Sequence, residues 1–399
     1  MRAKIEKSIL SGIVEAPPSK SMAHRLIIAA ALSEGECRIE NVAMSEDITA
    51  TSECMKKLGK EITFDNGTLY IKNAEVKNSD RMIFVNESGS TLRFLIPLCL
   101  TGEEFTIKGS KRLFERPLSV YEEIFEKQNI KYEKGEDFIK IKGNLKSGIF
   151  KIRGDISSQF VTGLLYALPL LDGDSEIEVT GNFESKNYCL MTLSALKAFG
   201  VDIYFDGDRV FRIKGGQKFK SIDCRVEGDW SNAAFFDCLS LFGHDVSVTG
   251  LSDNSLQGDK IYKEYFMSLK SGCPTLSVKN CPDLAPILFT VAAFFGGGHF
   301  TDTARLKIKE SDRAEAMKEE LSKFGADIRV CENEVFVNKT ELHTPTEPLS
   351  SHNDHRIAMS LSVISTLYGG KIEEAEAVRK SFPDFYKILK TLGAKVEAE

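Results

Sequence analysis

An apolar residue followed by Gly recurs along this chain, always at the end of an amphipathic segment and just before a β-like run. The clear copies are MKKLGKEITF around Gly59, LKAFGVDIYF around Gly200, LSKFGADIRV around Gly325 and LKTLGAKVEA around Gly393. Weaker copies fill the gaps, IFEKQNIKYEK with Asn129 and FMSLKSGCPTLSV with Gly272, so that successive spacings are 70, 71, 72, 53 and 68. Gly or Asn just past the last helical turn is a C-cap signal. A second series keeps step with the first. Strongly apolar segments, each opened by small polar or charged residues, begin at Lys20, Gly89, Ser157, Asp229, Pro282 and Asn353, spaced 69, 68, 72, 53 and 71 apart. Two independent features sharing one period specify six structural units. Each reads as strand, apolar helix, strand, amphipathic helix and β-rich return, a βαβαββ-type unit, with the fourth shortened.

Helices that are apolar nearly all round must be buried, which puts the sheets outside them. A chain of 399 residues exceeds the 250 to 300 at which a single core stops growing, so two domains of three units each are expected. Residues 20–227 then form an inserted domain. Residues 1–19 and 228–399 form a discontinuous one, the first strand pairing with the C-terminal half. The fold class is a two-domain, inside-out α/β fold.

Charge limits the partners. With 52 Lys+Arg against 58 Asp+Glu the net charge is −6, which argues against nucleic acid and makes any anion site a local one. The nine cysteines contain no C-x-x-C pair, pointing to reduced thiols that pack structurally and to no zinc ligand set. No apolar signal core opens the chain, and the run Leu284 to Phe295 is too short for a bilayer, so a soluble cytoplasmic protein with no membrane partner is expected.

Lys20, Arg25, Arg93, Lys309, Arg313 and Arg356 gather at helix starts, where the macrodipole disfavours cations. A bound anion resolves the conflict, because backbone N–H groups and cationic side chains would both point at it. If the repeats stack in one direction, the helix starts face one cleft between the domains, which is the expected active site. Neither a P-loop nor a Rossmann glycine pattern is present, so nucleotide binding has no support.

The segment PPSKSMAHR, followed in order by SGSTLRF (88–94), LFERP (113–117), DISSQF (155–160), ESKNY (184–188), PDLAP (282–286), KESDR (309–313), NDHR (353–356) and RKSFPDF (379–385), resembles the 5-enolpyruvylshikimate-3-phosphate synthase family over nearly the whole chain. The resemblance implies the same inside-out fold. It also implies transfer of the enolpyruvyl group of phosphoenolpyruvate to the 5-hydroxyl of 3-phosphoshikimate, with release of phosphate and with no metal or organic cofactor. By the same resemblance, Lys20, Gly89, Arg116, Gln159, Arg313, His355, Arg356 and Lys380 would hold phosphoenolpyruvate. Lys20, Ser21, Arg25, Ser157, Ser158, Gln159, Ser185, Tyr188, Asp283 and Lys309 would hold 3-phosphoshikimate. The catalytic groups implied are Asp283 as base on the 5-hydroxyl, with Glu310 and Lys20 moving the proton at the methylene carbon.

The chemistry fits those residue types. The substrates bring two phosphates and two carboxylates, roughly five to six negative charges, and so demand a cationic shell. That shell would also keep Asp283 ionised. Asp283 could instead cap its helix, and Glu310 could be a first-turn helix glutamate. Phe94, Ser90 and Arg305 depart from the family pattern, whereas the SSQF form is similar to that of glyphosate-sensitive members. Two rival readings are the sister transferase acting on UDP-N-acetylglucosamine and a non-catalytic anion-binding homologue. The first typically carries a reactive cysteine in a loop that here, from Gly109 to Pro117, has none. The chain is expected to act as a monomer.

Overall fold

The apolar segments form helices, and the small polar residues before them become caps. In the computed structural model, which describes residues 1–74 and 81–398, Ser88, Ser157, Asp229 and Asp354 each accept a backbone N–H from the first turn of the helices Gly89–Leu98, Ser158–Ala167, Trp230–Leu241 and His355–Tyr368. The helix Ala285–Phe295 starts instead from a 3₁₀ turn, Pro282–Leu284, with Pro286 near its start. The repeated glycines Gly59, Gly200, Gly325 and Gly393 sit at φ between 79° and 100°, and Asn129 at 55°, the left-handed geometry that ends a helix. Gly272 is different, with φ 165° in the extended region.

The chain divides into two compact units, Met1–Ser19 with Glu227–Glu399, and Lys20–Val226. Within the second, three four-stranded sheets repeat one plan. Strand Met82–Phe84 runs parallel to Thr101–Lys108, which pairs antiparallel with Phe138–Asn144, the inner arm of a hairpin whose outer arm is Lys131–Lys134. Helix Gly89–Leu98 makes the parallel crossover, and Ser119–Gln128 leads into the hairpin. Strands Ile149–Arg153, Ser175–Thr180, Val210–Ile213 and Ile203–Phe205 repeat the order. The third sheet takes its first strand, Asp223–Arg225, from the far end of the unit, because at Lys20 the chain passes straight into a helix.

The other unit follows the same rule with two adjustments. Strands Leu349–Ser350, Gly370–Glu373 and Lys395–Ala398 are completed by the N-terminal strand Ala3–Glu6, which supplies the missing hairpin arm. The shortened fourth repeat keeps only its parallel pair, Ser11–Glu15 with Asp245–Thr249. In both units the crossover helices carry the core: Ile287, Leu288, Phe289 and Val291 in one and Leu92, Phe94, Leu95 and Ile96 in the other are inaccessible.

Six cysteines pack as buried small hydrophobes, but Cys273 and Cys331 are exposed, which corrects the expectation that all nine are structural. Among the described residues no helix is long and apolar enough to cross a membrane.

Candidate functional site

Each unit carries one cluster of the expected residues. In the Lys20–Val226 unit, helix Lys20–Leu32 opens on Lys20, whose ammonium lies 2.8 Å from Asp47 Oδ2. One turn on, the buried Arg25 donates to Ser21 O (2.7 Å), Tyr188 O (2.9 Å) and Thr192 Oγ1 (2.9 Å). Its guanidinium also lies over the rings of Phe94 and Tyr188, at 5.4 and 5.7 Å. Burial pulls Arg25 below the usual guanidinium range. Tyr188 thus touches Arg25 by backbone and by ring, while Ser185, buried and held at φ 55°, precedes helix Lys186–Ala198.

Gly89 has a steric reason to be glycine. A Cβ there would lie 2.8 Å from Arg93 Nη1 and 2.9 Å from Arg116 Nη1, so the missing side chain lets two guanidiniums approach this helix start. Arg93 donates to Gln159 Oε1 (3.1 Å) and Pro117 O (3.2 Å), and Gln159 Nε2 donates to Ser90 Oγ (3.0 Å). Gln159 therefore joins its own helix start, capped by Ser157 and including the buried Ser158, to that of Gly89. Among these, Arg93 is the residue the sequence reading noted at a helix start yet left without a site role.

In the other unit the centre is Asp283. Its Oδ1 accepts from Lys309 Nζ (3.1 Å) and Arg313 Nη1 (2.7 Å), and Arg356 Nη2 lies 4.0 Å from Oδ2. The capping position of the following helix is Leu284, which makes no side-chain cap bond, so helix capping does not account for Asp283. Glu310 lies ahead of helix Arg313–Ser322, whose cap is Asp312, and accepts from Arg313 Nη2 at 2.9 Å. It is not a first-turn helix glutamate. Lys309 and Arg313 likewise precede and open this outer helix and do not belong to a buried crossover helix.

Arg313, only 1% exposed, also donates through Nε to Asp354 Oδ2 at 2.8 Å. Asp354, fully buried, accepts from Ser311 Oγ and from Arg356 N as well. The sequence reading passed over it because it looks like an ordinary N-cap, which it also is. His355 follows it, its Nδ1 3.9 Å from Asp354 Oδ1. Arg356 reaches Asn232 Oδ1 at 3.4 Å, and Lys380 donates to Asn353 O at 2.6 Å.

Burial opposes the charge on Asp283, but Lys309, Arg313 and Arg356 together outweigh it and hold the carboxyl well below its usual range. Burial lowers Lys309, with Asp283 working against that shift. Arg313 is raised despite burial, through Asp354, Glu310 and Asp283. The cluster is a set of fixed cations around an ionised, partly accessible carboxylate, suited to anion binding and proton transfer. Glu319, Glu320 and His352 also gather in this unit. Glu320, however, is already satisfied by Lys323, Ser350 N and His352, which makes it a structural carboxylate.

Comparison with known proteins adds a family. The family model described as EPSP synthase (3-phosphoshikimate 1-carboxyvinyltransferase) matches residues 5–389. A 3-phosphoshikimate 1-carboxyvinyltransferase of Clostridium kluyveri is 43% identical over 418 residues, covering 98% of this chain and 97% of the relative. One from Clostridium novyi is 42% identical, covering 99% and 98%. Among solved structures, an EPSP synthase from Acinetobacter baumannii superposes with a TM-score of 0.81 at 21% identity, covering 100% of both chains. The enolpyruvyl transferase NikO from Streptomyces tendae gives 0.79 at 13% identity, covering 99% of this chain and 98% of that one. At such identities the structures speak for the shared fold alone.

Proposed function

The chain belongs to the EPSP synthase family, and from that premise we propose that its two cation clusters act on one pair of substrates, phosphoenolpyruvate and 3-phosphoshikimate. The reaction joins the 5-hydroxyl oxygen of 3-phosphoshikimate to C2 of phosphoenolpyruvate while C3 gains a proton. The C2–O bond to phosphate then breaks, a proton leaves the new methyl group, and inorganic phosphate departs.

Roles follow from chemistry. Arg25, Ser21, Ser157, Ser158, Gln159, Ser185, Tyr188 and Lys309 hold 3-phosphoshikimate. Gly89, Arg116, Gln159, Arg313, His355, Arg356 and Lys380 hold phosphoenolpyruvate, with Lys20 serving both substrates. Asp283 takes the hydroxyl proton, and Glu310 and Lys20 handle the proton at C3. The observation that carries this reading is the Asp283 carboxylate held by Lys309 and Arg313. In that state it is ionised but weakly basic. Anionic substrates that draw the same cations onto phosphate and carboxylate loosen their hold and make Asp283 a better base.

The sister transferase acting on UDP-N-acetylglucosamine is disfavoured because the segment from Gly109 to Pro117 carries no cysteine and folds as a short helix, Lys111–Glu115, capped by Ser110. The proposal takes the chain as a cytoplasmic monomer, so light scattering should give the mass of one chain. The test of function is phosphate release with phosphoenolpyruvate plus 3-phosphoshikimate, which should be rapid, and with UDP-N-acetylglucosamine as acceptor, which should be absent. The reverse pattern, or no release with either acceptor, overturns the reading.

A further inference from the structure

Three helices of the Lys20–Val226 unit are joined by a chain of buried hydroxyls that ends on a histidine. Ser88 Oγ caps helix Gly89–Leu98 by accepting from Thr91 N, and it also accepts from Thr91 Oγ1 at 2.7 Å. Thr91 Oγ1 lies 2.6 Å from Thr51 Oγ1 on helix Glu46–Lys57, and Thr51 Oγ1 lies 2.8 Å from His24 Nδ1 on helix Lys20–Leu32. All four side chains are at most 1% exposed.

Hydroxyl arithmetic fixes the direction. Each threonine has one O–H hydrogen. Thr91 uses its hydrogen on Ser88, so at the next link Thr91 accepts and Thr51 donates. Thr51 then has no hydrogen left, and His24 must donate to it from Nδ1. The other ring nitrogen, Nε2, is buried with no hydrogen-bond partner among the described residues. A proton there would be a buried donor with no acceptor, which native structures avoid. Burial, with Lys20 and Arg25 nearby, also holds His24 well below the usual imidazole range.

The chain runs in register with the site. Lys20 and His24 are four residues apart on one helix face, as are Asp47 and Thr51 on the next. The Lys20–Asp47 ion pair and the His24–Thr51 bond therefore zip the same two helices, and Thr51–Thr91 adds the helix that begins at Gly89. Arg25, next to His24, donates its hydrogen bonds to other groups, Ser21 O and Thr192 and Tyr188 on helix Lys186–Ala198, although its guanidinium also lies over Phe94.

We propose that His24, Thr51 and Thr91 are positioning residues for enolpyruvyl transfer, a one-way hydrogen-bond relay that fixes the Gly89–Ser90 helix start against Lys20 and locks His24 as its Nδ1–H tautomer. In its kinetic consequence the proposal rests on the function given above. It deepens that reading by assigning the relay to the phosphoenolpyruvate side, since without the Thr51–Thr91 link Lys20 keeps Asp47 and Arg25 keeps its own hydrogen bonds, and the Gly89 helix start is what loses its tie.

Two measurements test it. In the full-length protein with ¹⁵N-labelled histidine, His24→Gln identifies the His24 signals among the six histidines. The account expects a protonated Nδ1 and a bare Nε2, and an Nε2–H tautomer overturns it. This result needs no substrate, so it stands even if the wild-type protein releases no phosphate, an outcome that would sink the functional reading alone. In an active enzyme, Thr51→Val removes both bonds at nearly constant volume. Small misplacements at a site cost up to about 100-fold, and here KM for phosphoenolpyruvate should rise about tenfold while KM for 3-phosphoshikimate stays within about twofold. Thr51→Ser, which keeps the hydroxyl, should restore the wild-type value. A packing role alone would move the melting temperature without splitting the two KM values. Equal changes in both, or a change in neither, overturn the relay.

Discussion

Arg25 and Arg313 are buried to nearly the same degree, at 2% and 1% exposure, yet the two units hold them in opposite ways. Arg313 is surrounded by carboxylates, bonded to Asp354, Glu310 and Asp283. Arg25 is held by a hydroxyl, two carbonyls and two ring faces, with no carboxylate in ion-pair range among the described residues. Burying a charge costs several kcal/mol unless it is paired. Arg313 meets that cost with carboxylates, whereas Arg25 meets part of it with neutral acceptors and ring faces, which under the proposed function leaves its charge for an anionic substrate. Two arginines that look alike at the level of sequence are thus held differently: one is bonded to Asp283 and two further carboxylates, and the other, in the proposed function, is left to meet an anion.

Methionine substitutions separate the two roles. Arg313→Met removes the cation shared by three carboxylates, and breaking a buried pair from one side typically costs about 3–5 kcal/mol, so its unit should lose that much stability in denaturant titrations. Arg25→Met replaces a buried charge that has no carboxylate partner among the described residues by an apolar side chain of similar length. Stability should fall less than in Arg313→Met, since only bonds to one hydroxyl and two carbonyls are lost, while losing a charged contact of about 2–5 kcal/mol should weaken 3-phosphoshikimate binding by about 30-fold to several thousand-fold in calorimetry. If the two variants behave alike, the contrast is wrong.

Gly89→Ala probes the same distinction more gently. The new Cβ must push the Arg93 and Arg116 guanidiniums, side-chain ends that can move, from 2.8 and 2.9 Å. KM for phosphoenolpyruvate should rise about tenfold, a displacement effect, with little change in melting temperature.

The smallest effect concerns pH. The bond to Glu320 raises His352 above 6.5 despite burial. A raised folded value means that the stabilisation is complete below about pH 6.5 and is lost as pH rises through the folded value. Wild-type melting temperature should therefore decline from about pH 6.5 upward relative to His352→Gln, which lacks the titrating group. A parallel decline in both proteins would remove His352 from the account.

The repeat made the architecture legible because the helix caps and apolar runs are local signals. Its completions were less visible. The count of units places the first strand with the C-terminal half, where Ala3–Glu6 pairs with Lys395–Ala398, but that Asp223–Arg225 serves the sheet of Cys37–Glu40 depends on how the unit closes on itself. The site shows the same limit. Lys20, Asp283 and Arg356 stand in recognisable motifs, but Asp354 reads as a cap, and its bond to Arg313 depends on which helix starts are neighbours. His24 offered a signal in retrospect, an imidazole beside Arg25 in a helix that is apolar past its opening Lys20 and Ser21. Its meaning needed Thr51 and Thr91 from two other helices.

The central claim is that Asp283, poised by Lys309 and Arg313, takes the proton from the attacking hydroxyl. Asp283→Asn keeps the shape and removes the basic carboxylate. General-base assistance contributes about 10²- to 10⁴-fold, so single-turnover phosphate release should slow by that factor while 3-phosphoshikimate binding changes far less. Near-normal release by Asp283→Asn would contradict the account and leave Glu310 or Lys20 to carry both proton transfers.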